Sequence, residues 1–196
     1  IALAPDYADA YNDLGVALTK AKRHDEAMAC YDRALMLDPG FAEAHCARGA
    51  LLIVAKQLNE AALSIERALA IDPRMAPAWQ AKGDVFAAQH RSDEAIASYE
   101  RALALKPDFF EAKHALALAL LERGQNAAAI AMMQDILRAK PDYDFLPGIL
   151  LEAMLKACDW RDYPALTAQI ETSLKNNQKA CPPFISHLLP LPLDLQ

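Results

Sequence analysis

Apolar positions return at helical spacing through most of the chain, and polar breaks divide them into short segments. In the first segment Tyr11, Leu14 and Leu18 recur three to four residues apart, which is typical of one face of an α-helix. A polar break at residues 22–25 separates this segment from a second one, whose apolar face ends just before Pro39. Because proline cannot continue a helix, the pattern predicts a pair of short helices.

The pattern repeats along the chain at a constant interval of 34 residues. The residues that keep this interval are prolines and small residues: Pro5, Pro39, Pro73, Pro107 and Pro141; Ala27, Ala61, Ala95 and Ala129; Gly15, Gly49 and Gly83, followed by Ala117; and Ala34, Ala68 and Ala102, followed by Ile136. A fixed period of roughly 20 to 50 residues is typical of arrays in which each unit buries its apolar face against its neighbours. The sequence therefore predicts an all-α repeat protein, with Gly15 and Ala27 at the closest approach of two paired helices.

The residues at the repeating positions resemble the tetratricopeptide repeat. In the first unit they are Tyr11, Leu14, Gly15, Leu18, Ala27, Tyr31, Ala34 and Pro39, and in the third unit they are Trp79, Gly83, Phe86, Ala95, Tyr99, Ala102 and Pro107. Arg48 and Lys82 replace a usual leucine, and Lys113 replaces a usual aromatic residue. The resemblance implies a right-handed α-solenoid of helix pairs over residues 1–143. Its four repeats would be 8–41, 42–75, 76–109 and 110–143, after the end of a truncated repeat.

The pattern changes after Pro141. Residues 145–158 still predict a helix, and an apolar stripe at Leu166, Ile170 and Leu174 predicts another. We interpret residues 144–179 as a divergent capping pair of helices. Residues 180–196 are rich in proline and leucine, and they predict an irregular tail or a linker to a missing domain.

The C-terminal segment also resembles the joint between repeats and glycosyltransferase domains in bacterial O-linked N-acetylglucosamine transferase and SPINDLY-like proteins. The resemblance is carried by residues 144–148, 158–163 and 182–184. It implies that the repeats are a substrate- or partner-recognition arm, and that the sugar-nucleotide and catalytic residues lie outside this chain. The alternative is an ordinary capping pair, in which Trp160 and Phe184 simply fill a core.

By resemblance to other tetratricopeptide arrays, the first helix of each pair is expected to line a concave groove that binds extended peptides or partner helices. The residues predicted to line it are Asn12, Asp13, Val16, Lys20, Glu43, Cys46, Ala47, Ala50, Ile53, Gln80, Ala81, Asp84, Glu111, His114, Leu118, Leu121 and Glu122. Acidic residues outnumber basic ones, and the floor is small and aliphatic. We therefore expect a basic or neutral peptide with a few apolar anchors. A solvated face without a ligand is the alternative, since charged helix faces are common.

Two known groove chemistries do not match these positions. Chaperone-binding arrays grip a C-terminal carboxylate with Lys, Asn and Arg side chains, whereas this chain has Asn12, Val16 and Ala47 at the corresponding places. O-linked N-acetylglucosamine transferase grips the peptide backbone with one asparagine per repeat. The matching residues here are Asp13, Ala47, Ala81 and Ala115. The sequence thus predicts neither a carboxylate clamp nor an asparagine ladder.

Composition limits the classes of partner and the compartment. The 196 residues carry a net charge of −6, with a pI near 5.3, so the chain lacks the excess of Lys and Arg that nucleic-acid binding needs. The apolar runs are far shorter than the roughly 18 residues of a membrane span. Four cysteines, Cys30, Cys46, Cys158 and Cys181, form no Cys-x-x-Cys pair. We expect free thiols in a reducing compartment, and hence a cytoplasmic protein.

Candidate catalytic groups are sparse. His114 beside Glu111 imitates an acid–base or metal pair, but a zinc site needs three or four ligands, and no second cluster follows. No phosphate-binding glycine loop or nucleophile motif occurs in the sequence. We therefore predict a protein-recognition module without enzymatic activity, cofactor or metal. The alternative function is structural, in which convex faces or open ends join two copies into a homodimer.

Overall fold

The computed structural model describes residues 7–159 and 161–176, and within these ranges every regular element is an α-helix. The helices are α1 (Ala8–Lys20), α2 (His24–Leu37), α3 (Ala42–Val54), α4 (Leu58–Ile71), α5 (Ala76–Ala88), α6 (Ser92–Leu105), α7 (Phe110–Glu122), α8 (Asn126–Ala139), α9 (Leu146–Lys156) and α10 (Tyr163–Lys175). The prediction of an all-α helical repeat fold is confirmed. The side chain of Trp160 and the predicted tail of residues 180–196 lie outside the described residues.

The chain divides into two compact units, Ile1–Phe109 and Phe110–Gln196, which we call unit 1 and unit 2. In unit 1 the helices pack as the pairs α1–α2, α3–α4 and α5–α6, and the second helix of one pair contacts the first helix of the next. The first helices also touch one another, because α3 contacts both α1 and α5. In unit 2, α7 packs on α8, α8 on α9, and α9 on α10. None of the helices in the described ranges combines the length and apolar content that a bilayer crossing requires.

Each pair in unit 1 closes on a glycine of its first helix. A Cβ atom at Gly15 would lie 2.6 Å from the Tyr31 ring, and one at Gly49 would lie 2.6 Å from Cγ1 of Ile65. Tyr31 and Ile65 are almost fully buried. The glycines therefore let the second helix place a large side chain directly against the first helix, where a larger residue would force the axes apart.

The basic residues that depart from the repeat pattern make specific contacts. The Arg48 guanidinium on α3 donates to Oδ1 of Asp32 (2.8 Å) and to Oγ of Ser64 (2.6 Å), so it links α2, α3 and α4. Lys82 places its ammonium 5.4 Å from the centre of the Trp79 ring. These charges replace apolar packing with hydrogen bonds and a cation–π contact, which is why the helices still stack there.

The turn inside each pair uses a left-handed residue at the 34-residue interval. These residues are Lys22 (φ 59°), Lys56 (φ 60°), His90 (φ 58°), Gly124 (φ 73°) and Cys158 (φ 52°). The amide of the following residue bonds back to the carbonyl five residues earlier, as Arg23 does to Leu18 (2.9 Å) and Asp159 does to Met154 (2.9 Å). This is a Schellman motif, and it recurs in all five pairs. The fifth pair thus keeps the backbone turn of the repeats after their side-chain pattern has ended.

Replacing Lys56 by glycine is expected to raise the free energy of unfolding by about 0.5 kcal/mol. The left-handed conformation costs a lysine about 1 kcal/mol, and the greater freedom of glycine in the unfolded chain cancels part of that gain. Urea unfolding measures the change. The matched control is Gly124→Ala, which should lose about 1 kcal/mol because its φ is also left-handed while no atom lies near its would-be Cβ. A stabilising Gly124→Ala would contradict the strained-turn explanation.

The fifth pair has its own buried core in unit 2. Leu146, Leu151 and Met154 on α9 and Ile170 on α10 are almost fully buried. The helix predicted over residues 145–158 is shorter in the structure, because Phe145 and Cys158 both have positive φ and bound α9 at its two ends. α9 and α10 therefore pack as a helical hairpin, and α9 also packs on α8.

Candidate functional site

The first helices of unit 1 present one continuous surface, which we call the first-helix face. It is formed by α1, α3 and α5, since α3 contacts its two neighbours directly. Its predicted residues fall into two groups by exposure: Asp13, Val16, Lys20, Glu43 and Ala50 are exposed, and Asn12, Ala47, Ile53, Gln80 and Asp84 are half-buried. The exposed part of this face thus contains both apolar and charged side chains.

Two residues predicted to line the groove lie inside the protein instead. Cys46 is only 8% exposed and packs with Ala68 and Ala78, and Ala81 is 4% exposed in a cluster that includes Ile65. The prediction for these two residues is wrong, because the stacking of neighbouring pairs covers them. Burial also raises the pKa of the Cys46 thiol to about 11, so this cysteine is an inert core residue at neutral pH.

Among the charged residues predicted on the first-helix face, Asp84 is half-buried, whereas Asp13, Lys20 and Glu43 are exposed. Tyr99 donates its hydroxyl to Oδ1 of Asp84 (2.8 Å), and the Gln80 amide nitrogen donates to Oδ2 (3.0 Å). Both donors are neutral. Burial raises the pKa of the Asp84 carboxyl above its ordinary value of 3.8, and the two hydrogen bonds offset only part of this rise. The carboxylate is therefore held in position without having its charge neutralised.

Sequence reasoning named Asp84 and Gln80 but missed Tyr99, which it placed only in the repeat pattern. In the first pair the corresponding tyrosine, Tyr31, shares a hydrogen bond with Thr19 (3.1 Å), whose hydroxyl also donates to the Gly15 carbonyl (2.9 Å). The repeating tyrosine hydroxyl thus reaches the first helix in both pairs. In the sequence, only the correspondence between Tyr31 and Tyr99 indicates that a first-helix residue is the hydrogen-bond partner of Tyr99.

The raised pKa of Asp84 predicts a pH dependence of stability. We expect wild-type protein to gain stability relative to Asp84→Asn as the pH falls from about 7 to about 4. In that range the folded Asp84 takes up its proton at a higher pH than the unfolded chain does, so folding is favoured by acid. The measurement is urea unfolding of both proteins at several pH values. A wild-type stability that stays constant or falls relative to that of Asp84→Asn as the pH is lowered would show that the carboxylate is not penalised in the folded state.

Asn12 is a polar residue of the face with an unpaired acceptor. Oδ1 of Asn12 on α1 is buried and makes no hydrogen bond. A buried polar atom without a partner costs free energy, and such atoms are uncommon in folded proteins. The face therefore contains an acceptor whose hydrogen bond is unmade.

In unit 2, the predicted groove residues lie on α7. Glu111, Leu118 and Glu122 are exposed, and His114 and Leu121 are half-buried. The His114 ring meets the Tyr143 ring edge-on at 5.4 Å, and its Nε2 is buried without a hydrogen bond. Burial lowers the pKa of His114, so its imidazole is neutral at physiological pH. Within the described ranges no group of three or more His, Cys, Asp or Glu residues is placed to hold a metal ion.

Two sizeable cavities are lined mainly by second helices and turns. One in unit 1, of about 530 Å³, is lined by Asp32, Leu35, Met36, Pro39, His45, Arg48 and Arg67. Another in unit 2, of about 940 Å³, is lined by Ala127, Ile130, Ala131, Gln134, Ala157, Cys158, Asp159 and Arg161. Neither includes a predicted groove residue. The candidate site is accordingly an open face, which suits an extended segment better than a small enclosed ligand.

Comparison with known proteins adds sequence and structural relatives. Residues 8–41 and 81–144 match family models described as tetratricopeptide repeat. No curated protein sequence matches the chain. Among solved structures, Pseudomonas aeruginosa pilF is 22% identical, with a TM-score of 0.72, covering 86% of this chain and 82% of that one.

Two further solved structures resemble parts of the chain. A mutant O-GlcNAc transferase from Thermobaculum terrenum is 25% identical with a TM-score of 0.64; the match covers 67% of this chain but only 26% of the transferase. The first TPR of Spaghetti (RPAP3), bound to the HSP90 peptide SRMEEVD, is also 25% identical, with a TM-score of 0.57 and coverage of 63% of this chain and 98% of that one.

Proposed function

This chain belongs to the tetratricopeptide repeat family, whose fold serves protein–protein interaction, and on that premise we propose that its first-helix face binds an extended peptide. The observation that carries the proposal is the face itself. Three first helices in contact present exposed apolar side chains beside a half-buried carboxylate, Asp84, whose hydrogen-bond donors in the described part of the chain are neutral. A neighbour with this fold holds a peptide, the HSP90 segment bound to Spaghetti (RPAP3).

The chemistry of the face favours a basic or neutral peptide with apolar anchors. Val16 is 36% exposed and Ala50 is exposed beside the half-buried Ile53, so an aliphatic side chain of a ligand has apolar surface to cover. Asp13, Glu43 and Asp84 outnumber Lys20, which repels an acidic segment. Because the helices are already packed, the protein does not pay for ordering this surface on binding. In unit 2, α7 presents a surface of similar composition, and we propose the same role for it.

A finer proposal concerns the larger protein context. The C-terminal residues 144–148 and 158–163 resemble the joint before the glycosyltransferase domains, and the Thermobaculum terrenum O-GlcNAc transferase matches two thirds of this chain. These observations support a role as the recognition arm of an O-GlcNAc transferase-like protein. In this role the chain selects a substrate or partner and performs no chemistry, and we propose a cytoplasmic location for it.

Selection from a display library of random dodecapeptides tests the proposed function. Peptides that the protein selects should bind the double variant Val16→Glu/Ala50→Glu at least tenfold more weakly than wild type, because each glutamate removes apolar surface that the peptide's anchors cover and loses hydration when they bind. The matched control is Met36→Glu/Leu63→Glu, which changes exposed apolar residues of the second helices α2 and α4 (72% and 60% exposed). Loss of binding in the control, with the face variant unaffected, would refute the proposed site.

Self-association is the second candidate function, and the exposed side chains of the second helices favour it. Met36, Leu63 and Ile71 in unit 1 are 72%, 60% and 45% exposed, so the second helices offer apolar side chains that a second copy of the chain can cover. Sedimentation velocity at increasing concentration tests this function. A dimer that persists in Val16→Glu/Ala50→Glu and dissociates in Met36→Glu/Leu63→Glu would support it, and a monomer at all concentrations would exclude it.

A further inference from the structure

We propose that Asp84 is the receptor for one basic side chain, lysine or arginine, of the bound peptide. The inference rests on the proposed function and deepens it, because it assigns a charge and a position to the ligand. It starts from the hydrogen bonds of Asp84, which leave part of its carboxylate unused.

The carboxylate of Asp84 is oriented by neutral donors alone. The Tyr99 hydroxyl occupies one acceptor site of Oδ1 at 2.8 Å, and the Gln80 amide occupies one of Oδ2 at 3.0 Å. An ionised carboxylate offers about four acceptor sites, so about two remain. Tyr99 is itself anchored, since its ring lies against Gly83 and only 2% of its surface is exposed. The two oxygens are thus preorganised on a rigid support.

Within residues 7–159 and 161–176, no ion pair joins a basic side chain to Asp84. The nearest lysine along α5, Lys82, is placed over the Trp79 and Phe86 rings instead. A half-buried carboxylate without a counter-ion costs stability, and such groups are enriched at functional sites. In the proposal, a basic side chain of the ligand supplies the counter-ion.

The surroundings of Asp84 suit a side chain with an aliphatic stem and a charged end. One turn along α5 are Ala87, which is half-buried, and Ala88, which is exposed, while α3 presents the exposed Ala50. Small residues leave room for the methylene groups of lysine or arginine to lie on the face, as such stems do elsewhere. The charged end then forms a charge-assisted hydrogen bond with the free sites of Asp84. The corresponding residue of the first pair is Val16, so the receptor is a single position and not a repeated ladder.

Peptides selected from the dodecapeptide library by wild-type protein provide the test. We expect lysine or arginine to be enriched at one position of their aligned sequences. Replacing that lysine by norleucine, which keeps the stem and removes the charge, should weaken binding to wild type about tenfold or more. The isosteric variant Asp84→Asn should bind the lysine and norleucine peptides equally. Circular dichroism and thermal unfolding of the variant serve as folding controls.

The outcomes separate this inference from the proposed function. Selected peptides that bind the first-helix face without a basic position, or an Asp84→Asn protein that keeps the full preference for lysine, would overturn the inference alone. A library that yields no peptide sensitive to Val16→Glu/Ala50→Glu would overturn the proposed function as well. If Asp84→Asn fails to fold, the variants Asp13→Asn and Glu43→Gln of the exposed acids keep the inference testable, because loss of the preference for lysine over norleucine in either of them would overturn it.

Discussion

Truncating Tyr99 to alanine is expected to lower the free energy of unfolding by about 3 to 5 kcal/mol. Tyr99 is 2% exposed, its ring fills the space above Gly83 between α5 and α6, and its hydroxyl donates to Asp84. The alanine variant therefore leaves a cavity where the helices of the third pair approach most closely, and removes a donor from a half-buried carboxylate. Urea or thermal unfolding measures the loss.

The control Tyr99→Phe distinguishes the contribution of the ring to stability from that of the hydroxyl. It keeps the packing against Gly83 and removes only the hydrogen bond to Asp84, so we expect a loss of about 1 kcal/mol. If Tyr99→Ala and Tyr99→Phe lose the same small amount, the ring does not hold α5 against α6. The structural account of the third pair would then be wrong.

A methyl group added at Gly83 is expected to destabilise the protein by about 1 to 2 kcal/mol. The new Cβ would overlap the Tyr99 ring, lying 2.6 Å from its Cδ1, and a buried ring on a packed helix cannot move freely out of the way. Overpacking of this kind costs about 1 to 3 kcal/mol, which exceeds the gain of up to about 1 kcal/mol in helix propensity from glycine to alanine.

A second substitution should rescue Gly83→Ala. The fourth pair has Ala117 and Met133 at the positions that correspond to Gly83 and Tyr99, and both are fully buried. The double variant Gly83→Ala/Tyr99→Met copies this combination. We therefore expect its loss of unfolding free energy to be smaller than the sum of the two single losses by about 1 kcal/mol or more. A double-mutant cycle from urea unfolding measures the coupling. Strict additivity would mean that the two positions do not contact each other.

The period of the sequence was sufficient to predict the helix pairs and the glycine at each close approach, but the partner named for Gly15 was Ala27, whereas the structure places the Tyr31 ring against it. Glycine at positions 15, 49 and 83 faces a large buried residue of the second helix in each pair, as expected where two helices need a close approach. The left-handed turns were not predictable in the same way. Gly124 signals such a turn, whereas Lys22 and Lys56 adopt it only because the Schellman hydrogen bonds of the folded pair hold them there.

The candidate site was predictable only in part. The periodicity of one helix predicts which of its residues face outward. Cys46 and Ala81 are nevertheless covered by residues of neighbouring pairs, and the sequence pattern of a single helix does not predict that stacking. The hydrogen bond between Tyr99 and Asp84 was not predicted for the same reason, because Tyr99 lies on a different helix. Contacts between elements depend on how closely the pairs pack, which the residue spacing within one helix does not specify.

The most direct test of the account locates the bound peptide on ¹⁵N-labelled protein. Amide chemical shifts are recorded while a selected dodecapeptide is titrated into the sample. We predict that the largest shifts lie on α1, α3 and α5, around Val16, Ala50 and Asp84, with small changes on α2, α4 and α6. Shifts concentrated around Met36, Leu63 and Ile71 on the second helices would contradict the assignment of the first-helix face as the binding site.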